Sequence, residues 1–160
     1  MYPPQYTQAV GTKFHSDGAV RHYPGNTIIC YCNPDENAYK QAAWAQKKLM
    51  EQPFAHKYTL LPLSSMHMTV IQLICDQVRE SQSWSRKLAL DTPLIETDKF
   101  FIDAVETVPK PQNFRMAYQL LWKGAVGISM RLKPADKSSH TAIWQYRDAI
   151  ADVTGVRFPD

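Results

Sequence analysis

Ser64-Ser65-Met66-His67-Met68-Thr69-Val70 opens a β-rich run, Met66–Ile74, that predicts a strand, and the fold is read outward from it. Alternate residues of a strand share a face, so His67 and Thr69 point one way while Met66, Met68 and Val70 point the other. A titratable imidazole beside a hydroxyl suits phosphoryl chemistry: the ring takes or gives a proton near neutral pH, and the hydroxyl donates to a phosphate oxygen. By itself the pattern is weak. A His-x-Thr tripeptide arises by chance, and a histidine on a half-buried strand is more often a satisfied core residue. Gln72 is read as sharing the His67 and Thr69 face, in a supporting or base-contacting role.

Upstream, the Pro24-Gly25-Asn26 turn launches a strand, Thr27–Cys32, of mainly β-branched and aromatic residues closed by Asn33-Pro34. Glu36–Gln52 reads as a helix with Tyr39, Ala42, Ala43, Leu49 and Met50 on one face, Lys47 and Lys48 in its last turns and Pro53 as its stop. Tyr58–Leu61 is a further strand candidate. Downstream, Thr92-Pro93 predicts a helix start, with the hydroxyl as cap, and a helix to about Val105 that buries Leu94, Phe101, Ile102 and Val105. Phe114–Trp122 and Gly127–Leu132 suggest a hairpin around Lys123-Gly124. A last helix, about Asp136–Val153, turns Ile143, Tyr146, Ile150 and Val153 inward, with Gly155 as its C-terminal cap. This order implies an α+β domain with largely antiparallel sheet.

A chain of 160 residues is large enough for one compact domain with a real core. Its hydrophobic fraction, 44%, and charged fraction, 21%, exclude disordered, collagenous and coiled-coil classes. Apolar stretches such as Leu60–Leu63 and Ala117–Trp122 fall far short of a membrane span. Met1–Gln5 lacks the basic and apolar regions of a secretion signal, so a cytoplasmic location and no membrane partner are expected. Cys30 and Cys32 sit on one face of a strand, read as small buried side chains, and with Cys75 they lack zinc spacing. A net charge of +3 permits a phosphate-bearing ligand but falls short of the footprint of a protein that binds duplex DNA.

Lys13 and Arg115 are candidate phosphate contacts, although isolated cations are more often solvated, and Tyr23 and Asn26 are candidates to line a groove. His15 and His22 flank Asp17-Gly18 without a third ligand at useful spacing, so no metal is expected there, and His56 is assigned to the surface. In Ser139-His140-Thr141-Ala142 the threonine adjoins the histidine, and the segment reads as the start of the last helix. There is no glycine-rich phosphate loop and no nucleophile elbow.

His67-Met68-Thr69-Val70 resembles the His-x-Thr-φ signature of the two-histidine phosphoesterase superfamily, the LigT-like or cyclic phosphodiesterase fold. The likeness to one branch, a domain of unknown function, extends over Gly11-x-Lys13-Phe14, Asp17-Gly18, Tyr23-Pro24-Gly25-Asn26-Thr27 and Leu61-Pro62-x-Ser64-Ser65. It continues through Cys75-Asp76-Gln77-Val78-Arg79, Phe114-Arg115-Met116 and Arg131-Leu132-x-Pro134-Ala135-Asp136.

The resemblance implies a two-lobed α+β fold with a His-x-Thr motif from each lobe facing a cleft. One histidine would act as base and the other as acid, with the threonines on the phosphate. It further implies metal-independent chemistry, without a cofactor, on cyclic phosphates or RNA-end phosphodiesters. Residues 1–160 hold one such motif, and the second is expected just after Arg157-Phe158-Pro159-Asp160. The chain therefore reads as a single, C-terminally incomplete domain of this kind, with an unpaired sheet edge that would favour self-association. Two other readings stand beside the enzyme: a non-catalytic module that binds a nucleotide or RNA end, and a scaffold for protein contacts.

Overall fold

β1 (Gly25–Tyr31), α1 (Asn37–Met50), β2 (His67–Cys75), α2 (Leu94–Glu106), β3 (Met116–Lys123), β4 (Ile128–Pro134) and α3 (Lys137–Thr154) follow one another along the computed structural model. It describes residues 6–111, 113–124 and 127–156. Helices and antiparallel strand pairs alternate, and the fold is α+β, as the segment order implies. The expectations that concern Met1–Gln5 and Arg157–Asp160 lie outside the described residues.

β1 pairs with β2. Cys32 N–H donates to Met66 O at 3.1 Å, and Asp76 N–H donates to Pro24 O at 3.0 Å, so the two strands run antiparallel. Their close approach needs Gly25: a Cβ at that position would stand 2.5 Å from the Ile74 carbonyl oxygen. β3 and β4 form the expected hairpin, with Leu121 opposite Met130 and Trp122 opposite Ser129, and an irregularity between Tyr118 and Leu120.

The chain forms two compact units, one of residues 27–72 and the other of the described residues before and after them. In the smaller unit, α1 buries Ala42, and the Gln46 amide donates to Leu61 O at 3.0 Å. In the larger unit, α2 and α3 pack together around Phe101, Ile143 and Ile150. Their buried hydroxyls are satisfied along their own helices: Thr97 Oγ1 donates to Pro93 O at 3.1 Å, and Thr154 Oγ1 to Ile150 O at 2.5 Å.

The irregular stretch between β2 and α2 is fixed by polar contacts instead of periodicity. Arg79 bonds the Asp76 carboxylate, donates to Leu90 O and Thr92 O at 2.7 and 2.8 Å, and stacks on buried Trp84. Ser85 Oγ donates to Thr154 O at 2.6 Å, and Arg86 N–H to Gly155 O at 2.9 Å, which ties this stretch to the end of α3. Gly155 closes that helix at φ 70°, the left-handed geometry expected of it.

Five expectations are corrected. Tyr58–Leu61 forms no strand, and its Leu61 carbonyl is taken by a side-chain amide. Thr92 does not cap α2: Pro93 is the capping residue, with no side-chain cap bond, and its carbonyl accepts from Glu96 and Thr97. Ile102 is exposed and Thr97 is buried, so the inner face of α2 is rotated from the predicted one. Met50 is also exposed, at the C-terminal end of α1. Cys30 is exposed and Cys32 half-buried; only Cys75 is a buried thiol. β1 belongs to a sheet of two strands, which leaves Cys30 without a covering layer.

Candidate functional site

A short 3₁₀ turn, Leu63–Ser65, delivers the chain into β2. Pro62 O accepts from Ser65 N–H at 2.9 Å and from Ser65 Oγ at 2.7 Å, which fixes the turn. Met66 O, held by Cys32 N–H, joins the turn to β1. With the turn so fixed, Ser65 O lies 2.7 Å from His67 Nδ1. A carbonyl oxygen can only accept, so Nδ1 carries the proton, and in the neutral ring Nε2 holds the lone pair.

His67 and Thr69 are both exposed, whereas Met68 is half-buried and Val70 buried. The alternation holds here, and the pair shares the solvent face of the strand, about 6.5 Å apart along it. That spacing lets an imidazole nitrogen and a hydroxyl reach one phosphate group. Electronically the pair offers one proton-exchanging atom, Nε2, and one neutral hydrogen-bond donor.

The reading of Gln72 is corrected in its reasoning. It stands five residues after His67 and three after Thr69, odd spacings that strict alternation sends to the opposite face. Alternation itself fails beyond Thr69, because Val70 and Ile71 are both buried. Gln72 is an exposed side chain between buried Ile71 and Leu73, and spacing does not assign it to the pair.

Four other candidates belong to the larger unit. Lys13 Nζ sits 4.8 Å from the centre of the Tyr23 ring, which brings these two together. Tyr23 is hydrogen-bonded to Cys75; that bond, with burial, raises its pKa and keeps the phenol neutral. Asn26 Nδ2 donates to Asp98 Oδ1 at 2.8 Å, and its buried Oδ1 has no protein partner among the described residues.

Arg115 is held by the start of α3 and keeps an exposed guanidinium. Its guanidinium pairs with Asp136 at 2.9 Å and its N–H donates to Ser139 Oγ at 2.9 Å, so it braces the start of α3. Donation from the Ser139 N–H, and then from Arg115, pulls the Asp136 pKa down to about 2. His15, His22, His56 and His140 are exposed, the last near Trp144 on α3.

What the motif could not show is the Ser65 carbonyl that orients His67. Ser64-Ser65 precedes the motif in the sequence, but a backbone acceptor has no side-chain signature. The partners of Asn26 and Arg115 lie 72 and 21 residues away and were equally hidden.

The model of the family described as 2H-phosphodiest, a domain of unknown function (DUF1868), matches residues 13–126. The chain belongs to this two-histidine phosphodiesterase family, whose function is described as unknown. Among solved structures, it is similar to a conserved protein of unknown function from Agrobacterium tumefaciens, at 28% identity and a TM-score of 0.85. That match covers 99% of this chain, which spans 66% of the length of the Agrobacterium protein. Comparison with curated proteins gives no match. Among the described residues, no helix is long and apolar enough to cross a membrane.

Proposed function

We propose that His67 and Thr69 form one half of a phosphodiesterase centre acting on cyclic phosphates or RNA-end phosphodiesters. The observation that carries this is the 2.7 Å contact between His67 Nδ1 and Ser65 O, which leaves Nε2 for the substrate on the face that Thr69 shares. In-line displacement at phosphorus needs one proton removed from the attacking water and one delivered to the leaving oxygen. Nε2 serves one of these transfers. Thr69 donates to a non-bridging phosphate oxygen. The chemistry uses the chain's own groups and calls for no metal or cofactor.

The sequence holds one His-x-Thr motif, so the second proton transfer falls to a group outside that motif. This single motif also favours a second reading, in which residues 1–160 bind a nucleotide or RNA end without turning it over. The test uses a polypeptide in which a second His-x-Thr motif accompanies this one. There, His67→Ala lowers turnover of a 2′,3′-cyclic nucleotide about 10²–10⁴-fold. Unchanged turnover would refute the acid–base role.

A further inference from the structure

Three of the four tryptophans, Trp84, Trp122 and Trp144, have an arginine guanidinium over the ring. The fourth, Trp44, stands on α1 with 59% of its surface exposed and, among the described residues, no ring or cation against it. α1 turns Ala42 inward with half-buried Tyr39, Ala43, Ala45, Gln46 and Leu49. At 100° per residue Trp44 lies almost opposite Ala42, and Lys40, Lys47 and Lys48 at i−4, i+3 and i+4 surround it. Lys48 is paired with Glu51 at 2.7 Å; Lys40 and Lys47, before and after the indole along the helix, make no ion pair among the described residues.

We infer that this outer face of α1 binds a single strand of nucleic acid, with Trp44 stacking on a base and Lys40 and Lys47 holding the flanking phosphates. Lys40 and Lys47 are seven residues apart, about 10 Å of helix axis, so two flexible ammonium groups bracket one stacked nucleotide. An aromatic platform between cations is the arrangement that single strands recognise.

The same features disfavour other occupants. An interfacial membrane helix presents a broad apolar face, and here the indole is the large apolar group among lysines. Lysine is depleted from protein–protein interfaces. The inference rests on the phosphodiester reading and deepens it: the substrate is an oligonucleotide end with a strand attached, beyond a mononucleotide.

The experiment measures binding of fluorescein-labelled oligouridylate, twelve nucleotides long, to residues 1–160, alongside binding of uridine 3′-monophosphate. Trp44→Ala is expected to weaken oligonucleotide binding about ten-fold, in the range of one lost base stack, and to leave the mononucleotide unaffected. Lys40→Gln and Lys47→Gln are each expected to reduce the slope of log affinity against log salt by about 0.7. The catalytic reading is followed separately, through mononucleotide binding in His67→Ala; a Trp44→Ala effect on the oligonucleotide stands whether or not that binding falls. Equal oligonucleotide affinity in wild type and Trp44→Ala would overturn the inference. So would absence of oligonucleotide binding by the wild type, or a Trp44→Ala effect confined to self-association in sedimentation.

Discussion

His67 Nδ1 lies 2.7 Å from the carbonyl oxygen of Ser65, two residues before it, so the imidazole is oriented by the backbone of the turn that precedes its strand. Among the described residues, a backbone carbonyl and no carboxylate sets the orientation and tautomer. The hydroxyl of Ser65 contributes indirectly, because its bond to Pro62 O holds the turn that aims the carbonyl.

Ser65→Ala is expected to loosen the turn by the value of one hydrogen bond, about 0.5–1.5 kcal/mol. Its effect on a phosphate ligand should be smaller than that of His67→Ala, since the carbonyl itself remains. Urea denaturation and phosphate-ligand titration of the variant check the two parts separately.

Thr69→Ala should weaken binding of a phosphate-bearing nucleotide by roughly 1.5–3 kcal/mol, the value of a hydrogen bond to a charged group. Thr69→Ser keeps the hydroxyl and should keep most of the affinity. Calorimetric titration of both variants distinguishes loss of the donor from loss of packing.

Gly25→Ala tests the pairing of β1 with the end of β2. The added methyl meets the Ile74 carbonyl oxygen at 2.5 Å, a backbone atom that cannot rotate away. Forced overpacking of this kind costs about 1–3 kcal/mol, which a lowered urea midpoint with an unchanged slope would show. Unaltered stability would mean that β1 does not lie so close to β2.

Asp136 gives a pH signature. Its pKa is lowered to about 2 in the folded chain by the Ser139 N–H and by Arg115, whereas an unfolded aspartate titrates near 3.9. A depressed folded value adds stability that is fully present above about pH 4 and is lost as pH falls through 2. Asp136→Asn should remove that component, so the wild-type and variant melting temperatures converge between about pH 4 and pH 2. A constant difference across that window would contradict the assignment.

The fold was legible where periodicity and punctuation agree. Pro53, Asn33-Pro34 and Gly155 place element ends within a few residues, and the Ile143 and Ile150 face of α3 follows from helical spacing. Legibility failed where a tertiary partner decides. Tyr58–Leu61 has strand composition but no strand beside it, and Ile102 lost the inner face of α2 to Thr97, whose hydroxyl is satisfied by Pro93 O. In the site, His67 and Thr69 were readable because a two-residue period survives there. Gln72 was not, because the buried pair Val70 and Ile71 breaks that period. Arg115 looked like a free cation until Asp136, 21 residues on, appeared beside it.

In the proposed centre His67 presents Nε2 to a phosphate while Nδ1 stays bound to Ser65 O. The most direct measurement is two-dimensional ¹H–¹⁵N spectroscopy of the histidine side chains in residues 1–160, titrated with a 2′,3′-cyclic nucleotide or the corresponding 3′-phosphate. The expected result is a proton on His67 Nδ1, and a ligand-dependent shift at Nε2 that Thr69→Ala diminishes. A ring protonated at Nε2, or an Nε2 resonance unmoved at saturating ligand, would contradict it.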